Sequence, residues 1–374
     1  MLSLCTIEAL VYSAMACSSL MSQYFALLGF SPFQVGLLMA LPPLTSIYAN
    51  YIYFALASTF SIKRIVRIFS IGGVIALWSV FLFKGFAMKF LFMVALTFFQ
   101  GSLLPLIESS MIEASHRLSF SYNKVRTWGT IGYTITAFIT GRFIKFGFVW
   151  LFVVFSLIFV WTSLLSKNLK EMTTQDRKQK LELWKIPKAF VVLLSIITIC
   201  IGFNLFNSVF LPIVVKERSY DPSIVGTTFS LMALSELPFL LNAERIRKRL
   251  SSKILFLSGC FVIGLRLILV SLSWSQTSLV LIQMLHGWTF IVIYYSTIRL
   301  MRENLKDQSL MSTQTFFWIA LQGIGPLMGS TIGGVVVEKI GTSNAYMLFG
   351  VLCMVIAVYA TYFFNKRFTT QRSL

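Results

Sequence analysis

Apolar residues fill this chain in long blocks, each about as long as a membrane-crossing helix, with short polar connections between them. A helix that crosses the hydrocarbon core needs about 20 mostly apolar residues. That criterion predicts twelve spans. The first six cover residues 4–28, 33–57, 65–86, 88–114, 125–146 and 148–166. The second six cover 188–214, 223–243, 253–274, 277–300, 309–338 and 343–365. The longest connection, 167–187, is polar and charged, and it separates a bundle over 1–166 from a second over 188–374. An internal repeat supports a duplication. Pro32–Gly36 matches Pro222–Gly226, Leu38–Leu41 matches Leu231–Leu234, and Lys145–Gly147 matches Lys339–Gly341, at offsets of 190, 193 and 194 residues. The expected fold class is an all-α membrane protein of 12 transmembrane helices in two pseudo-symmetric six-helix bundles.

Composition narrows the function. Of 374 residues, 57% are hydrophobic and 12% charged, whereas a soluble domain carries about 25% charged residues. A soluble enzyme is excluded. Lys and Arg number 32 against 13 Asp and Glu, a net charge of +19. No basic domain stands outside the spans, so the excess reads as loop charge facing an anionic leaflet rather than as a nucleic-acid surface. Twenty-three of these cations fall on one side of the map. Seven (Lys84, Lys89, Arg142, Lys145, Lys216, Arg218 and Lys339) fall on the other. The bias predicts that both termini are cytoplasmic. Cys5, Cys17, Cys200, Cys260 and Cys353 all lie in apolar segments without a C-x-x-C pair, so neither disulfides nor a zinc site is expected. The first residues carry no basic leader and no cleavage site, which predicts a retained first helix.

Six ionisable residues fall where a charge costs about 2.5–3.5 kcal/mol on insertion scales: Glu8, Glu108, Arg126, Glu236, Arg266 and His286. Glu8, near a helix end, reads most readily as a packing residue. Desolvation favours a neutral carboxyl, so a buried Glu can take up a proton on one side and release it on the other. Arg266 stays charged and can only act as a counter-ion or anion clamp, and Glu236, on a neighbouring span of the same half, is its expected acidic partner. Glycines crowd span eleven (Gly323, Gly325, Gly329, Gly333, Gly334) and sit in span five (Gly129, Gly132). Close helix packing is the main expectation for them, and bending during alternating access is the other.

The stretch Tyr122–Tyr133, with Arg126, Trp128-Gly129 and Gly132-Tyr133, resembles the start of helix five in the lactose-permease-like branch of the major facilitator superfamily. Ser235–Pro238 resembles that branch's helix-eight acid and Gly264–Arg266 its helix-nine Arg. Gln283–Phe290 resembles its helix-ten histidine segment, closest to the nucleoside and phenylpropionate proton symporters. The resemblance implies a substrate site at the midplane between two halves. It implies substrate contacts from Glu108, Arg126, Tyr133, Asn204, Gln283 and His286, with proton coupling through Glu236, Arg266 and Glu108. Three departures stand out. Thr289 occupies the place of the branch's main proton-carrying Glu. Gln283 replaces a Lys whose helix-seven Asp partner is also absent, leaving Asn204 and Asn207. The acidic residue of the loop after helix two is missing from Ala57–Arg64.

Together these features predict a secondary active transporter in a bacterial cytoplasmic membrane. It would import a nucleoside, small saccharide or aromatic acid with a proton, as a monomer in the bilayer, without cofactor or metal. An uncoupled facilitator or an exporter of the same fold are the alternatives, and a non-transporting membrane sensor is a remote one. A membrane enzyme is disfavoured, because His116 and His286 are the only histidines and no Asp or Cys ligands cluster.

Overall fold

The computed structural model describes residues 2–101, 103–117, 122–168 and 186–367, and every regular element among them is helical. They form two compact units, Met1–Arg177 with Val215–Ser230, and Lys178–Val214 with Leu231–Leu374. The first unit holds α1 (Leu2–Leu27), α2 (Pro32–Met39), α3 (Leu41–Thr59), α4 (Ile62–Leu82), α5 (Phe86–Gly101), α6 (Leu103–Arg117), α7 (Tyr122–Phe143) and α8 (Val149–Leu165). It also takes in the end of α9 (Lys188–Glu217) and the start of α10 (Ile224–Ser235). Two bonds tie that segment in: Lys216 Nζ donates to the Ala26 carbonyl at 2.7 Å, and the Ser230 hydroxyl to the Thr134 carbonyl at 3.0 Å. The second unit holds the rest of α9 and α10, with α11 (Leu237–Arg249), α12 (Ser252–Leu272), α13 (Gln276–Gln283), α14 (Phe290–Asn304), α15 (Asp307–Ile319), α16 (Gly325–Ile340) and α17 (Thr342–Arg367).

Among the described residues, nine helical stretches are long and apolar enough to cross a membrane. Of the other expected spans, α8 is apolar but only 17 residues long, and α7 carries Lys124, Arg126 and Arg142. On α17, Val351, Val355, Val358, Tyr359 and Tyr362 are all exposed and recur at helical spacing. An outward apolar stripe of this kind suits lipid rather than water.

Several spans are interrupted, and the sequence supplies the breaks. Proline lacks an N–H donor and suits only a first helical turn. Pro42 opens α3 after α2 has ended, and Pro238 opens α11 after α10 has ended. A 3-10 segment, Met284–Trp288, separates α13 from α14, and a π turn, Ala320–Ile324, separates α15 from α16. The internal repeat is thus a repeat of breaks: Leu38–Leu41 straddles the first proline break, and Leu231–Leu234 leads into the second. Its third member is a pair of helix-ending glycines at positive φ, Gly147 (127°) and Gly341 (80°).

The other glycines serve packing. A Cβ on Gly132 would lie 2.3 Å from the Ala9 carbonyl oxygen, so only glycine lets α7 approach α1 this closely. Gly329 meets the Gly202 carbonyl in the same way at 2.1 Å. Lys89, expected in an outer connection, is instead buried on α5. Its ammonium donates to the Tyr24 hydroxyl at 2.9 Å and to the Val80 carbonyl at 2.6 Å. That carbonyl lies in the last turn of α4, where backbone acceptors lack helical partners and the dipole favours a cation. All five cysteines are free thiols.

Candidate functional site

Among the described residues, each unit contains a cluster of ionisable side chains inside its apolar packing. In the first unit, α1 carries Glu8 and Tyr12 one turn apart on a single face, α6 brings Glu108 and α7 brings Arg126. The Tyr12 hydroxyl donates to Glu108 Oε1 at 2.6 Å. The Arg126 guanidinium lies over the Tyr12 ring, 3.8 Å from its centroid, and its Nε is 3.8 Å from Glu108 Oε1. Stacking on an aromatic face orients the guanidinium without consuming its donors. The Arg126 and Glu108 side chains remain 39% and 30% exposed, so the pair is loose and open. Gly129 makes the stacking possible, because a Cβ there would meet the Tyr12 ring at 2.5 Å. Tyr133, two turns beyond Arg126, donates to the Ser19 hydroxyl on α1 at 3.1 Å.

In the second unit the cluster is built at two helix breaks. Glu236 sits at the junction of α10 and α11, and His286 lies in the 3-10 segment. The two segments meet because Gly287 has no side chain: a Cβ there would lie 1.9 Å from the Ser235 carbonyl oxygen. Apolar packing holds the approach, with Trp288 edge-on to Phe239 at 5.6 Å and its indole N–H bonded to the Ser258 hydroxyl at 2.9 Å. His286 Nε2 lies 3.3 Å from Glu236 Oε1, and His286 Nδ1 lies 2.7 Å from an Arg266 guanidinium nitrogen. Arginine only donates, so Nδ1 accepts and the hydrogen of a neutral ring sits on Nε2, facing the carboxylate. Arg266 is fully buried, and its other terminal nitrogen donates to Asn204 Oδ1 at 2.8 Å. The result is a chain running Asn204–Arg266–His286–Glu236. Two of its buried donors, Arg266 Nε and Asn204 Nδ2, have no acceptor among the described residues.

The expected residues fall into these clusters with two corrections. Arg266 and Glu236 do not pair directly; His286 bridges them. Glu8 is no helix-end packing residue: it is 0% exposed, and neither carboxylate oxygen has a hydrogen-bond partner among the described residues. Gln283 lies in the second unit but is turned inward. It exchanges two hydrogen bonds with the Asn207 side chain, at 2.9 and 3.1 Å, and the pair is neutral. Thr289 donates to the His286 carbonyl at 2.7 Å and so closes the 3-10 turn. Tyr12 and Ser19 were not anticipated. The available signal was a polar stripe on the first span, with Glu8, Tyr12, Ser19 and Gln23 on one helical face.

Comparison with known proteins gives a consistent picture. A maltose permease of Geobacillus stearothermophilus is 21% identical over 345 residues, covering 89% of this chain and 86% of the permease. A sucrose permease of Escherichia coli is 20% identical over 286 residues, 70% of this chain and 66% of its own length. The crystal structure of the nucleoside transporter NupG superposes with a TM-score of 0.85 at 18% identity, covering 98% and 99% of the two chains. A POT family transporter superposes with a TM-score of 0.75 at 14% identity, covering 97% and 96%. These structural likenesses establish the fold. The MFS_1 like family matches residues 3–348, a stretch that includes both polar clusters. The chain therefore belongs to the MFS_1 like family and is a multi-pass membrane transporter of the major facilitator type, not an enzyme.

Proposed function

We propose that this transporter is a proton-coupled symporter that imports a small hydroxylated, ring-containing metabolite, a nucleoside or small saccharide, by alternating access. The observation that carries the reading is the open Arg126–Glu108 pair over Tyr12. It offers several guanidinium donors, a carboxylate acceptor and an aromatic face, which together suit the edge and face of a sugar or nucleoside. Tyr133 extends this surface. The relatives, permeases for maltose and sucrose and a nucleoside transporter, support the same class. On the coupling side, Glu236 carries the proton, and His286 and Arg266 hold it until substrate arrives. Asn204 and Arg266 present the two free donors to a substrate acceptor. The same reading places twelve spans in a bacterial cytoplasmic membrane with both termini inside. Domains at 1–166 and 188–374 are joined by a cytoplasmic loop at 167–187, and the chain works as a monomer.

The test is counterflow of uridine and of maltose in proteoliposomes, with the outside pH followed in light buffer. Glu108→Gln should abolish binding. Substrate addition should alkalinise the outside, and Glu236→Gln should lose that signal while keeping counterflow. Wild-type affinity in Glu108→Gln would overturn the substrate assignment. The structural role of Thr289 favours a second reading, an uncoupled facilitator, and substrate movement without any pH change would establish it.

A further inference from the structure

The first unit contains one buried acid to which the proposed cycle gives no task. Glu8 is fully enclosed, and both its oxygens lack a donor among the described residues. The charged groups whose fields reach it are Glu108 on α6 and Arg126 on α7, with the Tyr12 phenol one turn along its own helix. α8, also packed on α1, has no ionisable side chain, and Lys167 beyond its end is exposed. Among the described residues the cluster thus holds two carboxyls for one guanidinium. Glu108 has both available partners, the Tyr12 hydroxyl and Arg126. Glu8 has neither. A buried carboxylate without a donor is strongly unfavourable, and a bound proton removes that cost without any rearrangement.

We infer that Glu8 is a proton-binding site of the first unit, distinct from the Glu236 site of the second and linked to substrate through the Glu108–Arg126 pair. The linkage rests on the substrate reading above; the proton site does not. A proton on Glu8 removes a like charge from beside Glu108, which leaves Glu108 free to stay ionised as the acceptor for a substrate hydroxyl. When Glu8 loses its proton, the two carboxylates compete for Arg126, and the pair that receives substrate is disturbed. In the transport step one bond forms and breaks, the O–H bond of the Glu8 carboxyl. One proton binds one carboxylate oxygen and later leaves it.

Infrared difference spectroscopy of the full-length protein in lipid nanodiscs reads the site without any ligand. At neutral pH the wild type should show a protonated-carboxyl C=O stretch that is absent from Glu8→Gln and present in Glu236→Gln. Glu8→Asp, which keeps the acid, should restore a band at a shifted position. Identical carboxyl spectra in wild type and Glu8→Gln would overturn the proton site. Adding uridine or maltose should perturb the Glu8 band. A band that ignores a probe which the same protein moves by counterflow would overturn the linkage. A protein that moves neither probe yet shows the Glu8 band would count against the substrate reading while upholding the proton site.

Discussion

Gly287 is the position where one methyl group should uncouple the second cluster. In Gly287→Ala the new Cβ would start 1.9 Å from the Ser235 carbonyl oxygen, and real Cβ contacts essentially never fall below 3.0 Å. The 3-10 segment and the α10–α11 junction must therefore part by about 1.1 Å. The His286–Glu236 contact is already 3.3 Å, so a parting along that direction takes it past hydrogen-bond range. Overpacking of a tight core costs roughly 1–3 kcal/mol, and a lost hydrogen bond to a charged group roughly 1.5–3 kcal/mol. The same movement relieves the first by incurring the second, so a net loss of about 2 kcal/mol is expected. For a unit of this size that is a fall of about 4–8 °C in melting temperature. Thermal unfolding in detergent and proton-coupled flux in proteoliposomes measure the two consequences. Gly101→Ala, whose Cβ meets nothing within 4 Å, is the control and should leave both unchanged. Wild-type melting and full coupling in Gly287→Ala would show that the close approach does not position His286.

The Asn207–Gln283 pair should behave as a unit. Each single Ala variant strands a buried amide at about 1–3 kcal/mol, and the double variant should lose less than the sum. Simple additivity in thermal melts would rule the pairing out. The connection before α10 should show an acid limb. The Ser223 backbone N–H, 2.7 Å away, holds the Asp221 carboxyl below the usual carboxylate range, with the Ser223 side chain and then Lys145 and Arg142 adding to the effect. Its folded value lies below its unfolded one, so its contribution is complete above about pH 4 and is lost as pH falls through the folded value. Asp221→Asn should remove that part of the pH dependence of melting, and an unchanged acid limb would place its origin elsewhere.

The ionisable residues of both clusters were legible from the sequence because charge inside an apolar block is conspicuous. The Glu108–Arg126 pair was legible too, through its motif. Helix rotation and helix breaks were harder to read. Spacing along a span says which helix a residue is on but not which groups face it, so Glu8 was read as a packing residue near a helix end, whereas neither of its buried carboxylate oxygens has a partner among the described residues. The Arg266–Glu236 pairing failed for a related reason. The spans of Glu236 and His286 were read as continuous, whereas the first breaks next to Pro238 and the second at the 3-10 segment Met284–Trp288, and His286 lies between the two charges. Pro238 in particular was a visible signal for a discontinuity next to Glu236.

The neutral Asn207–Gln283 exchange also bears on how the chain enters the bilayer during synthesis. The two partners are separated by 76 residues, which a ribosome takes about 4–15 s to add. A lone Asp at position 207 would face that interval without its cation, at a cost of about 2.5–3.5 kcal/mol at mid-membrane. An amide carries no charge to neutralise, so α9 can settle in lipid before α13 exists. Arg266 receives similar help, because Asn204 is already in place when it emerges from the ribosome. The order of the genetic message thus matches the order in which the buried partners of the second unit become available.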